Sequence, residues 1–394
     1  MSNLEKWLSR ADETDARVRE WRRHFHRYPE LSFEEHETSR YIYETLENIG
    51  GFELSRPTPT SVVARLSGGR PGPVLALRAD IDALAIHEEN TFEFASERPG
   101  VMHACGHDSH AAVLLGAAQI LAAERQSLRG ELRLIFQHAE ETPPGGAQEL
   151  VEAGVLDGVD AIFGLHLLSW LDTGRIGLIE GAVMAATDNF DLTVRGNGGH
   201  AAYPHHGADA IAASAQVIAN LQHIVARQTD PMQQAVLSVT RIRGGEAYNV
   251  FPEKVEIGGT VRSFDPELRE DLLRRIRHTA GHIAQAHGAS VELSVQKGYP
   301  ALYNDASLVA LAERVTVSQF GEASIERSKP TMGAEDFAAY TRQIPGAFIY
   351  IGARSEAKES HYPHHHPRFT VDEDGMKTAL RFWLALVDQW QLEH

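Results

Sequence analysis

The chain has 394 residues, 43% hydrophobic and 8% aromatic, and a formal net charge of −17 at pH 7. That length accommodates two or three domains, or one large domain with an insertion, and that much apolar side chain excludes wholesale disorder. The acidic balance and the lack of a large basic run argue against nucleic acid as the main partner, because phosphate binding needs a clustered cationic face.

The first ten residues carry no apolar h-region, and the longest apolar stretch, 111–123, is interrupted by Gly116 and Gln119. Neither a signal peptide nor a membrane span is expected. A single cysteine, Cys105, excludes an intramolecular disulfide and fits a cytoplasmic protein. In chain order, residues 14–27 and 34–49 have helical spacing, the second run closing at Gly50-Gly51 where a C-cap is expected. Residues 74–77, 132–136, 161–165 and 348–351 are short apolar runs that fit buried strands. Residues 111–123 fit a helix with Asp108 or Ser109 available as its N-cap.

In the middle of the chain the pattern changes. Strands at 190–194, 235–242, 255–262 and 291–295 alternate with helices at 209–228 and 266–287. That β-α-β-β-α-β order is a known self-contained unit. The expectation is an α/β chain: a discontinuous domain over 1–184 and 299–394, with a central mixed sheet flanked by helices, and a domain inserted over 185–298.

Ligand sites in open α/β sheets lie beyond the carboxyl ends of the strands. Asp80 and Asp82 follow the first expected strand, Glu140 and Glu141 the second, and His166 the third, while His103-Ala104-Cys105-Gly106-His107-Asp108 opens the helix. Cys105 and His107 have a spacing that lets one loop present thiolate and imidazole to a metal ion, with a helix N-terminus expected to lower the thiol pKa. Taken alone, the pair also fits a buried free cysteine beside a surface histidine. Paired glutamates usually form a solvated face, but Glu140 and Glu141 precede Pro143-Pro144-Gly145-Gly146 and so sit in a loop. Neighbouring residues point in different directions, so one carboxylate can hold metal while the other handles a proton, which suits hydrolysis. His361 and His364-His365-His366-Pro367 form an internal histidine run, and Gly198-Gly199-His200-Ala201-Ala202 lies in the inserted domain, where its glycines suit a tight turn.

Across these residues the sequence closely resembles the M20 metallopeptidase family, in the amidohydrolase branch of hippurate hydrolases, N-acyl-amino-acid aminoacylases and auxin-conjugate hydrolases. The resemblance runs from Arg22-Arg23-His24-Phe25-His26 to His365-His366-Pro367-Arg368-Phe369. Between them lie the matching stretches 29–35, 77–84, 102–108, 198–202, Asn249-Val250-Phe251-Pro252, Gly259-Thr260-Val261-Arg262 and Met332-Gly333-Ala334-Glu335-Asp336-Phe337.

The resemblance implies that Cys105 bridges two divalent metals, Zn, Mn, Co or Ni, with His107, Glu141, His166 and His365 completing the ligand set. It implies Glu140 as general base and later acid, Asp82 as a carboxylate behind the ligands, and Asn249 and Arg262 at the substrate end. It further implies that the inserted domain is a lid and dimerisation domain, whose His200 reaches the partner subunit's site in a homodimer. The implied reaction is cleavage of the amide of a small N-acyl amino acid. His138 stands where the family usually has proline, which would leave the loop less rigid and add a spare ligand. Within the histidine run the family ligand stands two residues before the proline, which selects His365. Two other readings are a metal-free hydrolase with Cys105 as nucleophile and a non-catalytic metal-binding or regulatory protein.

Overall fold

Helix α1 (Asn3–Arg27) starts eleven residues earlier than its periodicity predicts. A capping box sets that start: the Ser2 hydroxyl accepts from the Glu5 N–H, and the Glu5 carboxylate accepts from the Ser2 N–H. The polar residues Asp12, Glu13 and Asp15 hide the repeat there, yet Trp7, Ala11, Val18, Trp21 and Phe25 all bury one face. The structure, a computed structural model, describes residues 2–394.

After α1 come α2 (His36–Ile49), β1 (Glu53–Ser55), β2 (Val62–Ser67), β3 (Arg70–Asp80), α3 (His107–Ala123) and β4 (Arg129–Gln137). Then follow α4 (Gly146–Glu152), β5 (Ala161–Asp172), β6 (Ile176–Leu178), β7 (Ala186–Arg195), α5 (Ala210–His223), β8 (Ala235–Arg243), β9 (Lys254–Ser263), α6 (Pro266–Ala286) and β10 (Ser290–Lys297). The chain finishes with α7 (Ala306–Phe320), β11 (Ile325–Arg327), α8 (Ala338–Thr341), β12 (Gly346–Arg354) and α9 (Glu373–Glu393). It divides into two compact units. One holds the chain up to Val183, Tyr303–Lys329 and Asp336–His394; the other holds Met184–Leu302 and Pro330–Glu335.

The first unit is built on an eight-stranded mixed sheet in the order β1-β2-β4-β3-β5-β12-β6-β11, flanked by helices. β3 runs parallel to both β4 and β5, with Asp80 opposite Gln137 and Arg78 opposite Gly164. Asp80 and His166 therefore reach the same level at the carboxyl end of the sheet. Helix α3 is buried along nearly its whole length, so its first residues, His107 and Asp108, lie in the interior. Its N-cap is Gly106 at φ 95, not Asp108 or Ser109. The Asp108 carboxylate is taken instead by Arg22 Nε (3.0 Å) and His26 Nδ1 (2.8 Å).

The second unit has the element order β7-α5-β8-β9-α6-β10, with all three strand pairs antiparallel in the order β8-β9-β7-β10. Side chains of α5 and α6 pack with the sheet into a separate core. Asp209 and Asp265 cap the two helices through their carboxylates. The helix expected over 209–228 ends at His223, and a π turn, Ile224–Gln228, finishes the run. Pro330–Glu335, expected with the first domain, belongs to this unit because the Ala185 N–H lies 2.8 Å from the Gly333 carbonyl and 3.2 Å from that of Thr331. No helix among the described residues is long and apolar enough to cross a membrane.

Candidate metal centre

The carboxyl end of β3 delivers two buried carboxylates with different duties. Asp80 accepts from Arg78 Nη1 (2.6 Å) and lies 2.6 Å from His110 Nδ1. His110 Nε2 accepts from the Leu167 N–H at 2.9 Å. A backbone amide only donates, so His110 carries its proton on Nδ1 and has no lone pair left for an ion. Asp82 orients a different ring. His107 Nδ1 is 3.1 Å from Asp82 Oδ1 and 3.0 Å from the Asp82 carbonyl, while Asp82 Oδ2 accepts from Ser32 Oγ (2.7 Å) and the Glu141 N–H (3.0 Å). Nε2 of His107 is thereby turned into the site, as expected of a ring held from behind by a carboxylate.

His107 Nε2 and Glu141 Oε1 are both buried without a hydrogen-bond partner and lie 3.9 Å apart. Ligand atoms of Cys105, His107 and Glu141 all fall within 4.8 Å of one another, and so do those of Cys105, His166 and His364. Two clusters thus share one thiol. His166 Nδ1 donates to the Leu167 carbonyl (3.0 Å), leaving Nε2 facing Cys105 Sγ at 3.5 Å. His365, at φ 65, is anchored by its N–H to the Ala104 carbonyl (2.8 Å) and brings Nε2 to 3.3 Å from Glu141 Oε1. Buried polar atoms left unpaired are costly, so this donor set fits divalent cations.

Electrostatics point the same way. Burial disfavours charge on His107, but Asp80, Asp82 and Glu141 outweigh it and push the ring up to about 10. Burial, then the charges of Glu141, Glu140 and Asp80, push the Cys105 thiol well above its usual range. Burial first, and three carboxylates after it, thus work against the acidification expected from the N-terminus of α3. A carboxylate cage of this density holds protons on Cys105 and His107 that a cation would displace.

The loop carrying Glu140 and Glu141 has Ala139 at φ 51, whose N–H donates to the buried Glu35 carboxylate at 2.8 Å. Burial, then the charge of Asp82, pushes Glu35 up to about 7. His138 is not a spare ligand. Its Nε2 lies 3.0 Å from Glu149 Oε2 and its Nδ1 3.4 Å from Thr58 Oγ1, so the ring is anchored away from the clusters and ties the loop down. Gly146 is required there, since a Cβ would fall 2.0 Å from the His138 carbonyl. His361 and His366 stack on Tyr362 and take no part in either cluster.

The remaining expected residues lie in the second unit. His200 sits on the short strand Gly199–His200, paired with Val250–Phe251, and its Nδ1 accepts from the Ala202 N–H at 3.1 Å. The Asn249 carbonyl accepts from the Ala201 N–H (2.9 Å), which places Asn249 beside the His200 turn. Arg262 on β9 is half-buried, with Nη1 3.4 Å from the Met332 carbonyl and no carboxylate partner among the described residues.

Residues 76–389 match peptidase family M20/M25/M40. The chain belongs to this family. It is 55% identical over 293 residues, 74% of this chain and 79% of the other, to an N-acyl-L-amino acid amidohydrolase of Geobacillus stearothermophilus. To the N-acetylcysteine deacetylase of Bacillus subtilis (strain 168) it is 41% identical over 366 residues, 93% of this chain and 94% of that one. The crystal structure of the Bacillus subtilis YXEP protein, described as a dinuclear metal binding peptidase from the M20 family, matches with a TM-score of 0.83 and 37% identity. The match covers 95% of this chain and 98% of that one. This M20 chain is therefore a hydrolase of the amidohydrolase branch, with a site suited to divalent metal ions.

Sequence reasoning gave no role to three residues of this M20 site. His364 lies 3.4 Å from Cys105 Sγ, Glu35 holds Ala139, and His110 links Asp80 to β5. His364 stands in the histidine run singled out above, and His110 stands one helical turn after His107 as the last residue of a Gly-His-Asp-Ser-His string.

Proposed function

We propose that this protein is a metal-dependent amidohydrolase that cleaves N-acyl amino acids into a carboxylic acid and a free amino acid. The observation that carries the reading is that Cys105 lies against His107 and Glu141 on one side and against His166 on the other, with Glu140 buried beside Glu141. The relative named N-acyl-L-amino acid amidohydrolase supports the substrate class. Divalent cations held by Cys105, His107, Glu141, His166 and His365 would acidify a water and polarise the scissile carbonyl.

Glu140 takes the proton of the attacking water and returns it to the leaving nitrogen, because an amine anion is a very poor leaving group. Asp82 keeps His107 in the tautomer that turns Nε2 inward. His200 donates to the oxyanion, and Asn249 with Arg262 receives the substrate carboxylate. An arginine without a carboxylate of its own suits that task. The second unit acts as lid and dimerisation domain of a cytoplasmic homodimer, with His200 serving the partner's site. A Cys105 nucleophile is disfavoured by the raised thiol, since the thiolate is the reactive form.

The test is turnover of acetyl, benzoyl and longer acyl amino acids with Zn, Mn, Co and Ni in turn. Hydrolysis of at least one acyl class, lost when the substrate's α-carboxylate is amidated, supports the reading. Equal turnover of the amidated substrates would remove the carboxylate role of Arg262, and no turnover of any would remove the substrate class.

A further inference from the structure

We infer that His364 is a hydrogen-bond donor to the Cys105 thiolate, and that it positions this sulfur without ligating metal. The inference rests on the proposed reading of Cys105 as the shared metal ligand, and it assigns a role to a residue outside that ligand set.

The ring nitrogen that holds the proton decides what His364 can do. His364 Nε2 lies 3.3 Å from the Ser169 amide nitrogen and accepts its N–H. A backbone amide has no lone pair to offer, so Nε2 must supply one, and the proton of the neutral ring is on Nδ1. That nitrogen lies 3.4 Å from Cys105 Sγ, within hydrogen-bond reach of sulfur. Turning the ring over would break the Ser169 contact. Its neighbours also hold it: Trp170 packs edge-on with centroids 4.7 Å apart, Phe369 is at 4.7 Å and His166 at 5.1 Å.

The other histidines of the site are arranged the opposite way. His107 and His166 place Nδ1 against oxygen acceptors, which leaves Nε2 for an ion, and His365 brings Nε2 to Glu141. His364 alone presents an N–H to the shared sulfur. The left-handed turn at His365 aims the two adjacent rings at different partners, one at Glu141 and the other at Cys105. An N–H···S contact draws charge from a thiolate and fixes its direction, making His364 a positioning residue for the sulfur that faces both His107 with Glu141 and His166.

The experiment uses the full-length protein loaded with Co(II), whose thiolate gives a charge-transfer band in the near ultraviolet. His364→Leu removes the N–H, and His364→Asn restores a side-chain N–H near the position of Nδ1. In His364→Leu the cobalt content per chain at saturation should equal wild type and the band should move to lower energy. Cobalt affinity should fall about 10- to 100-fold, the usual cost of losing a group behind a ligand. His364→Asn should recover part of the shift. Loss of bound cobalt at saturation in both variants would make His364 a ligand and overturn the inference; an unmoved band with unchanged affinity would show no contact and overturn it too. A band that survived in Cys105→Ser, or a wild-type protein that bound no cobalt, would overturn the thiolate reading beneath it as well, and that outcome is read before either His364 variant is made.

Discussion

Glu140 and Glu141 are adjacent, yet their surroundings assign them different work. Glu141 is held through its own N–H by Asp82 and presents Oε1 to His107 and His365, whereas buried Glu140 bears on Cys105 through its charge. Glu140→Gln should lose about 10²- to 10⁴-fold in turnover while keeping its cations. Glu141→Gln should lose cation affinity, and metal analysis of the two purified variants separates these outcomes. At this scale placement was legible where a residue follows a strand end, as Asp82 and Glu141 do, whereas His166, expected just past a strand, lies inside β5. It was not legible where a role depends on a tautomer or a backbone partner. Nothing in the string His364-His365-His366 announces that the Ser169 N–H turns one imidazole into a donor. Nor does Glu35, in a stretch that looks like a polar helix start, announce that it holds Ala139 more than a hundred residues away.

Among the elements, α1 and α9 are clasped by charge beside the site. Arg19, Arg22 and Arg23 all reach Glu373 at the start of α9, and Arg22 also holds Asp108 at the start of α3. Burial would raise the Glu373 carboxyl, but the hydrogen bond from Arg23 and the charges of Arg22 and Arg23 bring it down to about 2 from an ordinary 4.5. Its folded value lies below its unfolded one, so the unfolded chain binds more protons between the two. The stabilisation is full above pH 4.5 and is lost as pH falls toward 2. Urea unfolding of Glu373→Gln should therefore show lower stability than wild type at pH 6, with the gap closing between pH 4.5 and 2. A gap that stayed constant over that range would assign the loss to packing. The apolar strands that carry the site were readable from composition, but β1, β6 and β11 are three residues each, too short to show a period. The first turns of α1 were hidden by their acidic residues, although the Ser2 and Glu5 capping box was in plain sight.

For the whole molecule, the element order β7-α5-β8-β9-α6-β10 of the second unit was legible because it departs from that of the surrounding chain. The return of Pro330–Glu335 to that unit was not, since backbone hydrogen bonds to Ala185 leave no trace in side-chain pattern. A residue on one unit completes a site on the other only through closure or a partner, and an isologous dimer would supply the partner twice. If His200 acts across such a dimer, exchanging inactive His200→Ala with inactive Glu140→Gln subunits should restore one site in two. Exchanged heterodimers that stay inactive, while both parents remain folded and metal-loaded, would confine His200 to its own chain or to no catalytic part. The claim beneath all of this is that amide hydrolysis depends on cations held by Cys105, His107, Glu141, His166 and His365. The direct measurement is turnover of an accepted N-acyl amino acid by chelator-stripped protein, with metal content determined before and after divalent ion is returned. The account predicts no turnover in the stripped protein and recovery that tracks the metal regained; full turnover in protein shown to be metal-free would contradict it.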